Sequence, residues 1–291
     1  MEASITFKSV PKQFKNESSI AELTFGVEKN TILSLVGPND SGKSSILKMI
    51  CGIIYKDKGS IYIKGYDTSV KIHQIKSLIG YMPQKIDLDR NLDIFENIYI
   101  YALLHGMSKE EAKEKTNIIL GELNISKYSK KYISELSYGI IRVVMFARAV
   151  IHNPEIILLD EPTSNLDPLY SEIIWNYIIN NKKNTTVFYT THNFKEAQDY
   201  SDRIVVLFNG TIKYNGTFEK LVQNTFGLTR FIITYKDRVP DHINKKISLN
   251  PNIVRPVIIE NQLKSRVVNN CLIISVKFEQ IVVFFFFLMN S

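Results

Sequence analysis

Four times along this chain a short apolar run rich in β-branched residues gives way to a helical pattern, and that alternation points to a parallel sheet flanked by helices. The pairs are "TILSLVG" with "KSSILKMI", "IGYMP" with "LDIFENIYIYALLHG", "EIILLDE" with "YSEIIWNYIIN", and "TTVFYTTH" with "FKEAQDY". A long helical insert, Asn91 to His152, separates the second strand from the third. Its middle helix opens at Ser108 with Glu111 three residues on, a capping-box pattern. Further along, "RIVVLFNGTIKYNG" predicts a hairpin, because Asn209-Gly210 between alternating strands suits a type I′ turn. With 291 residues, 45% of them apolar, the chain can bury one main core and a small appendage.

After about Phe226 the character changes. The runs "RFIITYK", "NIVRPVIIEN" and "CLIISVKF" predict a small, mostly-β appendage over 226–291 behind a main domain over 1–225. The chain stops on "IVVFFFFLM", which leaves the completeness of the appendage open. That run is nine residues long, against the ~20 a spanning helix needs. The N-terminal "MEASITFKSV" has an acidic second residue and no apolar core, unlike a signal peptide. Cys51 and Cys271 are far apart and outside any metal-binding spacing, so neither a disulfide framework nor a zinc site is expected, and a reducing cytosol fits. A net charge of +7 would suit an anionic ligand, but the basic residues are scattered rather than clustered.

Chemistry concentrates in two places. In "LSLVGPNDSGKSSILKMI", Gly37 is followed after four residues by Gly42-Lys43-Ser44, between a strand and a helix. The backbone of Gly37, Pro38, Asn39, Asp40, Ser41, Gly42 and Ser45 can wrap a triphosphate there, Lys43 can reach its β- and γ-phosphates, and the Ser44 hydroxyl can bind Mg²⁺. In "EIILLDEPTSNLDP" four apolar residues deliver Asp160 to a strand's C-terminal end, where open α/β sheets place ligands. Asp160 can hold the metal's water shell, and Glu161 can orient and deprotonate an attacking water. A third stretch, "SELSYGIIRVVMFARAV", starts a nearly all-apolar helix at Ser137 and Gly139. It fits either an ordinary capped core helix or a helix N-terminus that holds an anion.

The phosphate loop, "LSYGI" and "ILLDEPTSNLD", in this order and spacing, resemble the ATP-binding subunits of ATP-binding-cassette (ABC) transporters, most like the bacterial export type. The resemblance covers about Ile5 to Leu221. It implies a P-loop NTPase core of α/β class, with a helical signature subdomain over about 91–152 and antiparallel β elements. It also implies that Gln84 in "YMPQ" is the glutamine loop and a metal contact, and that His192 in "YTTHN" is the switch histidine. Asp167 in "SNLD" would be the D-loop aspartate and Phe14 the aromatic that stacks on adenine. Two such subunits, here a homodimer, would meet head to tail, with Ser137 and Gly139 gripping an ATP bound to the other subunit's Lys43. The signature departs from the usual Leu-Ser-Gly-Gly-Gln at Tyr138 and Ile140, and Ile141 and Val143 replace basic residues that often follow it.

What the resemblance implies is a Mg²⁺-dependent ATPase, peripheral on the cytoplasmic side of the cell membrane, that drives a separate transmembrane partner, with no nucleic acid as ligand. The segment after Gln84, "DRNLDIFENIYIYALLHGMSKEEA", resembles the coupling region of export-type subunits. A soluble ABC ATPase, for example of the iron–sulfur assembly type, is the alternative. A single cassette argues against translation factors of the family, and a compact insert against its repair ATPases.

Overall fold

The computed structural model describes residues 3–14, 19–225, 228–234, 253–259 and 262–268. They fall into two units, Met1–Phe218 and Glu219–Ser291. The first unit begins with the strands β1 (Ala3–Lys12), β2 (Ile20–Glu28) and β3 (Ile32–Val36), and a glycine loop then leads into helix α1 (Lys43–Ile50). Next come β4 (Ser60–Ile63), β5 (Tyr66–Asp67), the short α2 (Ile72–Lys76) and β6 (Ile79–Met82). The helical insert holds α3 (Ile94–Leu104), α4 (Lys109–Glu122) and α5 (Tyr138–Val150). Beyond it run β7 (Ile156–Asp160), α6 (Pro168–Asn181), β8 (Thr186–Thr191), α7 (Phe194–Tyr200), β9 (Arg203–Phe208) and β10 (Thr211–Gly216), and α8 (Phe218–Thr225), starting at the boundary, then opens the second unit.

The central sheet has the order β10-β9-β3-β8-β7-β6 and is parallel except for the β9–β10 pair. Every residue of β3, β7 and β8 is buried, as strands covered on both faces must be. Their side chains alternate between two cores. Ile157, Leu159, Val187 and Tyr189 join the helical insert and Trp175, while Leu33, Leu35, Ile156, Leu158 and Phe188 join α1 and a second sheet. That second sheet, antiparallel and ordered β2-β1-β4-β5, supplies Ile5, Phe7, Val10, Leu23, Phe25 and Val27. β9 and β10 form the expected hairpin, with Asn209 at φ 48° and Gly210 at φ 68°, both positive as a type I′ turn requires.

This order positions the site. β3 pairs with β8 so that Val36 lies opposite Thr191, and β8 pairs with β7 so that Thr190 lies opposite Asp160. Three strands therefore end side by side, although the chain visits them far apart.

Helix starts differ from expectation in one respect. Ser108 accepts a 3.2 Å hydrogen bond from the Glu111 amide, but Glu111 turns its carboxylate to Lys115 (3.2 Å) one turn on, so only half of the expected box is recorded there. The full box belongs to α3. Asp93 accepts from the Glu96 amide at 2.7 Å, and the Asp93 amide donates to Glu96 at 2.9 Å. Asp93→Ala should therefore destabilise the protein by about 1 kcal/mol. Urea unfolding followed by circular dichroism measures this, and an unchanged midpoint would show that water replaces the cap without cost.

In the second unit β11 (Leu228–Thr234), β12 (Ile253–Ile259) and β13 (Gln262–Val268) form an antiparallel sheet ordered β11-β13-β12. Two of the expected strands coincide with β11 and β12. β13, "QLKSRVV", was not expected, because its polar residues hide the strand pattern that its pairing on both sides reveals. The expected strand over 271–278, Cys271 and the apolar run 281–289 lie outside the described residues. Among the described residues no helix is long and apolar enough to cross a membrane.

Candidate functional site

The glycine loop between β3 and α1 exposes Pro38, Asn39 and Asp40 at its tip and buries Ser41 and Lys43. Asp40 takes φ 62° and Gly42 φ 100°, left-handed conformations that curl the loop, and the second of them favours glycine. The Lys43 ammonium donates to the carbonyls of Gly37 (2.9 Å) and Pro38 (2.7 Å), bracing the loop from inside. Burial pulls the Lys43 pKa down, and the acids Glu161, Asp160 and Asp40 oppose that shift. The Ser41 hydroxyl is buried without a hydrogen-bond partner among the described residues. A buried polar atom left unpaired at a helix N-terminus inside a cationic loop fits an oxygen-rich anion such as a phosphate.

The carboxylate pair Asp160-Glu161 lies opposite, at the end of β7 and beside the end of β8. Ser44 Oγ donates to Asp160 Oδ1 at 2.9 Å, and Thr190 Oγ1 donates to the same oxygen at 2.7 Å. Burial raises the Asp160 pKa, and these two hydrogen bonds counter it. Glu161, 7% exposed, sits at φ 46°, a left-handed conformation unusual for a non-glycine residue. Its amide is held by the Thr190 hydroxyl (3.0 Å) and carbonyl (3.2 Å). Gln84 Nε2 donates to Glu161 Oε2 at 3.4 Å. His192 Nδ1 lies 3.3 Å, and Lys43 Nζ 3.9 Å, from Glu161 Oε1. His192 is 49% exposed on its side chain, so Glu161 is reached from the solvent side. Ser44, Asp160 and Gln84 together offer hydroxyl, carboxylate and amide oxygens, a hard donor set of the kind that Mg²⁺ takes.

Comparison with known proteins gives the family. A family model described as ABC transporter matches residues 20–164. The Nod factor export ATP-binding protein I of Burkholderia thailandensis is 30% identical over 229 residues, which cover 77% of this chain and 74% of that protein. The chain belongs to the ABC transporter family. ABC transporter G family member 23 of Dictyostelium discoideum is 37% identical over 215 residues, 73% of this chain but only 30% of its own length. Among solved structures, the dimeric post-hydrolysis state of the ATP-binding cassette MJ0796, bound to ADP and Pi, is similar with a TM-score of 0.66. It is 26% identical and covers 73% of this chain and 98% of its own.

Within the ABC cassette, Lys43, Ser44, Gln84, Asp160, Glu161 and His192 come together, as their strand ends require. Four other residues are held elsewhere. Phe14 follows β1, with its ring packed on the antiparallel-sheet core and Lys12 Nζ 5.7 Å from the ring centre. Asp167 caps α6, accepting from the Leu169 amide at 2.9 Å. Ser137 takes the N-cap position of α5, but its hydroxyl makes no capping bond, contrary to the capped-helix expectation. Gly139 is buried against the Tyr170 ring, and a Cβ there would lie 2.2 Å from it, so close approach explains the glycine. Two residues went unnoticed in the sequence. Thr190 is one of three threonines in β8, and nothing in its local sequence sets it apart. Arg142, 1% exposed, is a cation one turn into a mostly apolar helical run whose other cation, Arg148, lies near its far end, and that oddity was the available signal.

Proposed function

We propose that this ABC cassette binds Mg-ATP in a head-to-tail dimer and hydrolyses it to drive a separate transmembrane partner, most plainly an exporter, from the cytoplasmic side of the membrane. The observation that carries the reading is the convergence of Gln84, Glu161 and His192 on one point beside Lys43 and the Ser44–Asp160 pair. Loop amides and Lys43 bind the phosphates. Ser44 and Asp160, with Gln84, would hold Mg²⁺, which when bound neutralises phosphate charge. Glu161 accepts the proton of the attacking water, and His192 and Gln84 fix its carboxylate.

Export is supported by the printed name of the Burkholderia relative and dimerisation by the dimeric MJ0796 cassette. A cleft of about 220 Å³, lined by Ile53 after α1, Tyr81 of β6, Tyr101 of α3 and His105 just beyond it, would offer the transmembrane partner an apolar surface where the insert meets the core, and Ile53 on its rim is exposed. The sheet after residue 226 supplies none of the proposed site residues and serves regulation or partner contact.

Mixed subunits test the head-to-tail arrangement. Ser137→Arg places a cation at the positive end of the α5 dipole, so it should leave ATP affinity of the monomer intact but prevent an ATP-trapped dimer. Combined with Lys43→Ala chains it should recover hydrolysis, since each mixed dimer then has one intact composite site and one doubly damaged site. Loss of ATP binding by a folded Ser137→Arg monomer would place Ser137 in its own subunit's site and overturn the arrangement.

A further inference from the structure

Arg142 is a buried cation that the proposed chemistry does not use. No carboxylate pairs with it among the described residues, and its hydrogen bonds to oxygen go to main-chain carbonyls. Nη1 donates to Pro83 (3.0 Å) and Gln84 (2.9 Å), and Nη2 donates to Glu161 (2.7 Å) and, more weakly, to Asp160 (3.4 Å). Burying a guanidinium without a counter-ion is costly, so packing alone would favour an apolar residue at this position of α5. The planar fork suits a different task, because it can hold two separate chain segments at a fixed spacing.

Those segments are the two that matter most. One follows β6 and carries Gln84, and the other follows β7 and carries Glu161. The two side chains meet at 3.4 Å. Glu161 also needs restraint, because its left-handed backbone must be held from both sides. Thr190 holds the amide and Arg142 the carbonyl. We propose that Arg142 is a positioning residue that locks the Gln84 and Glu161 main chains together and so sets where the two side chains converge. The proposal rests on the reading of Glu161 as the hydrolytic base.

Steady-state and single-turnover hydrolysis by the full chain test it. Arg142→Met should lower kcat by about 10- to 100-fold, the scale of a small misplacement of reacting groups, while KM and nucleotide affinity hold. Arg142→Lys should recover part of the loss, because an ammonium reaches one pair of carbonyls but not both. In a Glu161→Gln background, measured by single turnover with radiolabelled ATP, Arg142→Met should cost little more, since no base remains to be positioned. Wild-type kcat in folded Arg142→Met, or a full additional loss in the Glu161→Gln background, would overturn the proposal. If Arg142→Met does not fold, Arg142→Lys decides, and wild-type kcat there overturns it equally. Lys43→Ala serves as the control. If that variant still turns over, the hydrolytic reading itself fails; if it is dead while Arg142→Met runs at full rate, only the positioning role fails.

Discussion

Glu161→Gln is expected to keep ATP binding while lowering steady-state hydrolysis by about 10²- to 10⁴-fold, the range that a positioned general base supplies. The amide matches the carboxylate in shape and can still meet Gln84 and His192, but it cannot accept the proton of an attacking water. With closure intact and hydrolysis stalled, ATP should trap a dimer visible by light scattering or size-exclusion chromatography. The trapped species should dissociate only as nucleotide is exchanged away. Rapid turnover by the variant would place the base elsewhere, and His192, the exposed neighbour of Glu161 Oε1, would be the next residue to test.

Lys43→Ala should nearly abolish hydrolysis and also weaken nucleotide binding. Two effects act together. The ammonium is the cation closest to where phosphate oxygens would gather, and it also braces the loop through Gly37 and Pro38. Its removal leaves Asp160 and Glu161 facing an anionic ligand without the cation that sits beside them. Isothermal titration with Mg-ATP separates the binding loss from the chemical one. Turnover near the wild-type rate would refute the assignment of the loop.

Legibility in the sequence followed how local the physical cause was. The phosphate loop, the strand that delivers Asp160 and the Asn209-Gly210 turn each depend on a few consecutive residues, and each was readable as a pattern. Gln84, His192, Asp167 and Phe14 were not readable from their surroundings, since a lone glutamine, histidine, aspartate or phenylalanine fits many environments. They became candidates only through resemblance, and Phe14 and Asp167 remain the two that neither a hydrogen bond nor an ion-pair contact connects to the cluster among the described residues. Arg142 and Thr190 escaped because their importance depends on partners brought in by other strands. The α3 box at Asp93 and Glu96 was passed over although its spacing was visible, while the similar spacing at Ser108 forms only in part because Lys115 competes for Glu111. β13 shows the same limit, because pairing on both sides makes it a strand more than its own sequence does.

The alignment of the ends of β3, β7 and β8 has a consequence for how the molecule acquires its shape. Ser44 and Asp160 meet although they are 116 positions apart, and Gln84 and Glu161 although they are 77 apart. Loops of that length must close before either contact forms, so the site cannot exist in a half-assembled chain. Nucleotide then acts as a selective ligand of the completed sheet. At a concentration one hundred times its dissociation constant it would add about 2.7 kcal/mol to the native state and nothing to the unfolded one. A chain that stalls between β6 and β7 gains none of this, so the pool of nucleotide helps to sort finished cassettes from unfinished ones.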